Sequence, residues 1–364
     1  MDAQPATITR RTAARIEDRL HLGPDAQVDD KSLLFTPAAP RLTDPFLVLA
    51  DDLFSSPGFD WHPHRGLQTV TLVLDGALEH GDNPGNAGAL TAGDVQSMTA
   101  GRGIIHRELA LRDERAHTVQ LWVNLPAALK MTDTRYQDLL AGRRPVIERD
   151  GTRIDLISGH AGGLTGPALN HRPVTGAVHT LEPGRTVDHV LPAHDRAFPA
   201  VLSGRAAIGG RAVQQAQIAW SDPAGGAQPS AITLQARDGD QPAVVLAFSG
   251  QPVGQPVALG GPFVMNSTAG IDQAFQDYRN GERPARWVHD IAARRDDAGF
   301  ELVGLRDYPV PHLDEPLPPS LGHPAAGSNP GNADLRRRFR PFRGKTSAAQ
   351  PCGGRREIWK ECDE

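Results

Sequence analysis

His62-Pro63-His64-Arg65-Gly66 and, about forty residues on, Thr99-Ala100-Gly101-Arg102-Gly103-Ile104-Ile105-His106-Arg107-Glu108 decide how this chain is read. The first piece sets two imidazoles at i and i+2. The second sets an imidazole and a carboxylate at the same spacing. Residues two apart on a β-strand point to one face. Two strands that each aim such a pair into a common space can hold one metal through three nitrogens, from His62, His64 and His106, and one oxygen, from Glu108. Imidazole with one carboxylate suits Fe(II), Mn(II), Ni(II), Cu(II) or Zn(II). Neither pair offers a thiolate, which argues against a closed structural zinc site. Four ligands leave room for water, O2 or a chelating oxygen donor. Without a metal, the same residues would simply fill the mouth of a barrel.

The flanking sequence predicts strands. Leu67–Leu74 is rich in β-branched residues. Asp75-Gly76 then reads as a hairpin turn, with Ala77–His80 as the return strand. Val95–Thr99, Ile104–Leu109 and Thr118–Leu125 follow as further strands, while Ala127–Leu140 offers a short helix. Ala13–Leu20 reads as a short helix or an edge strand. A second β-rich region begins near Ile154 and includes Val178–Leu181, Ala197–Ser203, Gln217–Ser221, Ala231–Gln235 and Ala243–Phe248. Gly 38 and Pro 31 together make about a fifth of the 364 residues, against roughly 12% in average usage. That excess suits short strands and tight turns in a sandwich or barrel. Ile271, Ala274, Phe275 and Tyr278 mark one amphipathic helix over 268–279. Ser267 or Thr268 is placed to cap it and Gly281 to stop it. From about 310 the chain turns Pro-, Gly- and Ser-rich, then basic at Arg336-Arg337-Arg338-Phe339-Arg340, and reads as a disordered tail.

Composition narrows the function. A net charge of −5 leaves no footprint of a nucleic-acid binder. No apolar run reaches bilayer length, and Met1–Leu20 has no apolar signal core. The two cysteines, Cys352 and Cys362, form no disulfide framework. A cytoplasmic protein with reduced thiols is expected. Phosphate-loop, dinucleotide and nucleophile-elbow motifs are absent. His80, His117, His160, His171 and His179 lack ligand-spaced partners, and His189 and His194 are wrongly spaced for one metal. The second β region therefore presents no metal set.

These residues resemble the pirin family of the cupin superfamily. The resemblance rests on Asp44-Pro45-Phe46-Leu47, His62-Pro63-His64-Arg65-Gly66, Glu79-His80, Gly93-Asp94-Val95-Gln96, the run Met98–Ile104, His106-x-Glu108 and Gly261-Pro262-Phe263-Val264-Met265-Asn266. They stand in family order across about 30–282. The resemblance implies an all-β fold of two tandem cupin (jelly-roll) barrels in one bicupin body, with a short C-terminal helix. It places an N-terminal barrel in 1–150, a metal-free C-terminal barrel in 151–283 and a disordered extension in 284–364. The family's ligands map onto His62, His64, His106 and Glu108, with Fe(II) as the first choice of metal. Gln68 departs from the family's usual Glu, Ser97 from its Trp and Arg107 from its Ser; the last two fall near the expected pocket.

Bacterial relatives described as quercetin 2,3-dioxygenases imply a reaction. A flavonol chelates the metal, Glu108 takes the hydroxyl proton, and O2 opens the heterocycle to a depside and carbon monoxide. Phe59, Trp61, Met98 and Trp122 are candidate apolar walls. Family members described as iron-binding co-regulators supply the rival reading, a redox-responsive regulator acting on a protein partner. A scaffold that has lost its metal is disfavoured by the four intact ligands. A monomer is expected.

Overall fold

The computed structural model describes residues 8–280, apart from 56–57, 112–114 and 227. The expected disordered tail, with both cysteines and the Gly281 stop, lies outside the described residues.

The segment expected to be a hairpin is one strand. Leu67–Asp82 runs unbroken for 16 residues. Its first half pairs with Val95–Thr99 and Ala116–Asn124. Its second half pairs with Ala87–Thr91 and Ile104–Ala110. Gly76 is the reason. It adopts φ +74°, and a Cβ there would sit 1.6 Å from the Arg115 carbonyl oxygen. The pairing register shifts beside it, between His117 and Thr118. A left-handed glycine can close a two-residue turn, but it can equally bend a strand at a bulge. Here it bends one strand from the first wall of a barrel into the second.

That barrel is built from residues 20–139. One wall runs in the order Arg135–Leu139, Val95–Thr99, Leu67–Asp82, Ala116–Asn124, Phe46–Phe54, Asp30–Phe35 and Leu20–His21. The other joins Phe59–His64, Ile104–Ala110, the far end of Leu67–Asp82, and Ala87–Thr91. Ala127–Leu140 holds only a 3-10 turn, Ala127–Leu129, before the strand Arg135–Leu139.

The second barrel repeats the plan. Its large sheet runs Val146–Arg149, Thr152–Ser158, Val174–Leu181, Ala243–Gly250, Arg196–Ser203, Gln217–Trp220 and Arg15–Asp18. Its small sheet holds Thr186–Leu191, Ser230–Ala236, Arg205–Ile208, Arg211–Gln214 and Thr9–Arg11. Residues 9–18 therefore hydrogen-bond into the second barrel, with Arg15–Asp18 at the sheet's edge. Gly204, at φ +74° against Pro242 and Ala243, stands as Gly76 does in the first barrel. The fold is all-β, two cupin barrels in tandem.

The large sheets of the two barrels pack face to face. Phe35, Phe46, Leu72 and Leu121 from one meet Phe198, Trp220, Leu246 and Phe248 from the other in one buried cluster. Phe46 and Phe198 meet edge to face at 4.8 Å, and Phe35 and Trp220 at 4.9 Å, the favoured geometry for aromatic pairs. After the second barrel, a hairpin (Ala258–Gly260, Phe263–Met265) and the helix Thr268–Arg279 return to the first. Val264 packs on Leu67 and Trp122 there. Ser267 caps the helix through its hydroxyl, which accepts from the Gly270 N–H at 3.1 Å. No helix among the described residues is long and apolar enough to cross a membrane.

Candidate metal centre

His62 and His106 face each other as cross-strand partners, and His64 faces Ile104. The i, i+2 spacing turns His62, His64 and His106 to the barrel interior. Their ring centroids lie 4.3 to 5.0 Å apart. One ring nitrogen from each falls within 4.8 Å of the others. Among the described residues these three histidines are the only such cluster.

The tautomers are fixed from outside. His62 Nδ1 donates to the Asp60 carbonyl at 2.7 Å, and His64 Nδ1 to the Pro262 carbonyl at 3.3 Å. A carbonyl only accepts, so both rings carry the proton on Nδ1 and present Nε2 inward. His106 Nδ1 lies 3.2 Å from His80 Nε2. The Nε2 atoms of His64 and His106 are buried without a hydrogen-bond partner. Buried polar atoms are rarely left so, and two of them pointing with His62 into one space fit a metal. Burial, and then the neighbouring imidazoles, hold His64 and His106 well below the usual histidine range. They stay neutral, as ligands must.

Glu108 shares their face but not their cluster. Its carboxylate accepts from Gln120 Nε2 at 2.9 and 3.1 Å and from Thr71 Oγ1 at 3.3 Å. Burial pushes it up to about 7, against the pull of those two donors. It lines a small cavity with His62, Phe59, Trp122, Gln120 and Asp52. Asp52 is buried too, and desolvation lifts it well above the usual carboxylate range. His62 is the most open of the three histidines, so the centre is approached from its side.

Strand parity sorts the remaining candidates. Phe59 and Trp122 are walls, as expected. Met98 packs with Ala100 and Ile104 instead. Trp61, at 47% exposed, lies on the outer face of the sheet with the Arg107 guanidinium 5.3 Å over its ring. Arg107 pairs there with Glu79 at 2.6 Å. Ser97 shares a strand face with Val95, which belongs to the core between the barrels. Neither Ser97 nor Arg107 lines the cavity. Gln68 donates to Thr99 Oγ1 at 3.0 Å and is no part of the cluster. Sequence reasoning missed Gln120, Thr71, Asp52 and the part played by His80, for none of them sits in a ligand-spaced motif. The one available signal was that Gln120 alternates with Trp122 on a strand whose inward face was known.

The C-terminal hairpin and helix complete the site. The Pro262 carbonyl sets His64, the Val264 N–H donates to the Arg65 carbonyl at 3.0 Å, and Arg65 pairs with Asp277 at 2.6 Å. Lys130 Nζ donates to the Gly66 carbonyl at 2.8 Å and to Asn124 Oδ1 at 2.7 Å.

The second barrel shows why it presents no such cluster. With Gly76 matched to Gly204, the hydrogen-bonded registers match Glu108 to Leu234, His106 to Ile232, His64 to Leu191 and His62 to His189. Three of the four positions are aliphatic. The remaining imidazole is taken up by His179, 3.2 Å away, and Ser249, 3.4 Å away.

Fold and site together define a two-barrel cupin protein whose N-terminal barrel carries a three-histidine centre able to hold a metal. Residues 30–123 match the Pirin domain and residues 177–284 the pirin C-terminal cupin domain. Pirin-1 of Arabidopsis thaliana is 36% identical over 247 residues, which cover 66% of this chain and 84% of that protein. The chain belongs to the pirin family. Its fold matches a structure titled quercetin 2,3-dioxygenase from Acinetobacter baumannii, at TM-score 0.68 and 29% identity, over 75% of this chain and 98% of that one. It also matches the Escherichia coli pirin YhhW in complex with nickel(II), at TM-score 0.51 and 25% identity, over 68% of this chain and 100% of that one.

Proposed function

We propose that this pirin is a metal-dependent dioxygenase that opens the ring of a quercetin-like flavonol with O2, giving a depside and carbon monoxide. The observation that carries the reading is the convergence of three imidazoles, two of them held neutral by burial, beside a carboxyl group pushed up to about 7. His62, His64 and His106 would hold a divalent metal, Fe(II) by preference, with Glu108 beside them as the candidate fourth, oxygen ligand. The metal when bound supplies Lewis acidity toward the 3-hydroxyl and 4-carbonyl oxygens of the substrate. Glu108 accepts the 3-hydroxyl proton. A group at about 7 is balanced between base and acid at working pH. Gln120 and Thr71 hold its carboxylate in place, and Phe59 and Trp122 keep water from the cavity. The likeness to the Acinetobacter quercetin 2,3-dioxygenase supports the substrate class, and the nickel(II) bound by the Escherichia coli pirin supports a divalent metal at this site.

Oxygen uptake with quercetin tests this, on protein reconstituted anaerobically with Fe(II), beside His106→Ala. Uptake that needs both the metal and His106 is expected. No uptake with iron bound stoichiometrically would overturn the enzymatic reading in favour of a metal-responsive regulator.

A further inference from the structure

The second barrel has its own opening. A cleft of about 520 Å³ lies at its mouth, at the end where the first barrel carries its metal centre. Leu191, which stands where His64 stands, forms part of its lining. The cleft has an apolar rim and polar groups in need of partners. Leu169 and Val190 are 58% and 45% exposed on that rim. Asp195 is buried in the wall, its side chain 7% exposed. Its carboxylate meets His194 Nε2 at 3.8 Å and accepts no hydrogen bond among the described residues. His171 Nε2, also in the lining, is buried without a partner.

Charge restricts what can enter. Arg11, whose Nη1 donates to the Asp195 carbonyl at 2.5 Å, and Arg172 in the lining both act on Asp195, so a free ammonium would meet positive neighbours. A carboxylate or phosphate would meet Asp195 itself. A neutral molecule with a hydroxyl donor satisfies Asp195, and its oxygen can accept from Arg172 or His171. A flat apolar ring suits the Leu169 and Val190 rim. Burial holds Asp195 at about 6, so near neutrality it is an ionised acceptor whose desolvation a donor would relieve.

We propose that this cleft binds a small neutral hydroxylated aromatic molecule, with its hydroxyl on Asp195 and its ring between Leu169 and Val190. The site is separate from the metal centre and needs no metal. 2-Naphthol tests it, titrated by its own fluorescence against the full chain and against a His64→Ala/His106→Ala variant. Naphthalene serves as the probe without the hydroxyl. Saturable 2-naphthol binding of equal strength in both proteins is expected, and naphthalene should bind at least about tenfold more weakly. Asp195→Ala should weaken 2-naphthol by a similar factor. Val190→Lys, at an exposed rim position, should block binding and decides the matter if Asp195→Ala fails to fold. Absent binding, binding lost with the metal histidines, binding indifferent to Val190→Lys, or naphthalene equal to 2-naphthol would each overturn the proposal.

Discussion

His80 shows how much one side chain can do without touching the metal position. It is fully buried, stacks on Tyr136 at 4.6 Å and an interplanar angle of 23°, and faces His106 Nδ1 at 3.2 Å. With His106 Nε2 turned to a metal, His106 Nδ1 donates to His80 Nε2, which fixes both the tautomer and the ring plane. Loss of such a partner typically costs roughly 10- to 100-fold in metal affinity. His80→Ala is expected to lose affinity on that scale in a chelator competition, with the fold retained. His117 makes a different prediction. Its hydrogen bond to Asp51 Oδ1 at 2.6 Å raises it above the usual histidine range. A raised histidine stabilises the fold fully below its unfolded value of about 6.5 and loses that contribution as pH rises through its folded value. His117→Gln should therefore be less stable than the parent at pH 5.5, with the gap closing by pH 9 in thermal unfolding. The pair is partly exposed, so the gap should be under about 1 kcal/mol. At this scale the sequence was legible where ligands recur at i and i+2. Thr71 was invisible and Gln120 nearly so, because the pairing of their strands and the closure of the barrel, which no local spacing reveals, bring them to Glu108.

At the scale of the element, the strand Leu67–Asp82 carries the architecture. Its type was legible from Leu67–Leu74, but its length was not. Asp-Gly signals a left-handed residue without saying whether the chain reverses there or bends. What decides is the partner strand, whose carbonyl at Arg115 crowds Gly76. Gly76→Ala would place a Cβ against that carbonyl at φ +74°, a position without room or backbone freedom. A loss of more than about 2 kcal/mol in chemical unfolding is expected; an unchanged midpoint would show that the bend does not need glycine. Trp61 and Arg107 teach the same lesson about parity. Each is next to a ligand in sequence, and for that reason each points to the opposite face of the sheet.

Over the whole molecule, the two barrels share a plan and divide the chemistry. Two β-rich regions were legible from strand and turn spacing, and their form as tandem barrels from the resemblance of the motifs to the pirin family. The exchange of residues 9–18 into the second barrel was not, because an edge strand of mixed polarity carries little periodic signal. The second barrel keeps the glycine bend but sets Leu191, Ile232 and Leu234 where the first sets His64, His106 and Glu108. The first barrel in turn depends on the far end of the described chain, since Pro262 orients His64 and Asp277 anchors Arg65. The proposed site implies one metal per chain, held by the first barrel alone. Metal stoichiometry is measured after loading and desalting on the parent, on His64→Ala and on His189→Ala. One equivalent in the parent, loss in His64→Ala and one equivalent still in His189→Ala are expected. Metal retained without His64, or a second equivalent that disappears with His189, would contradict it.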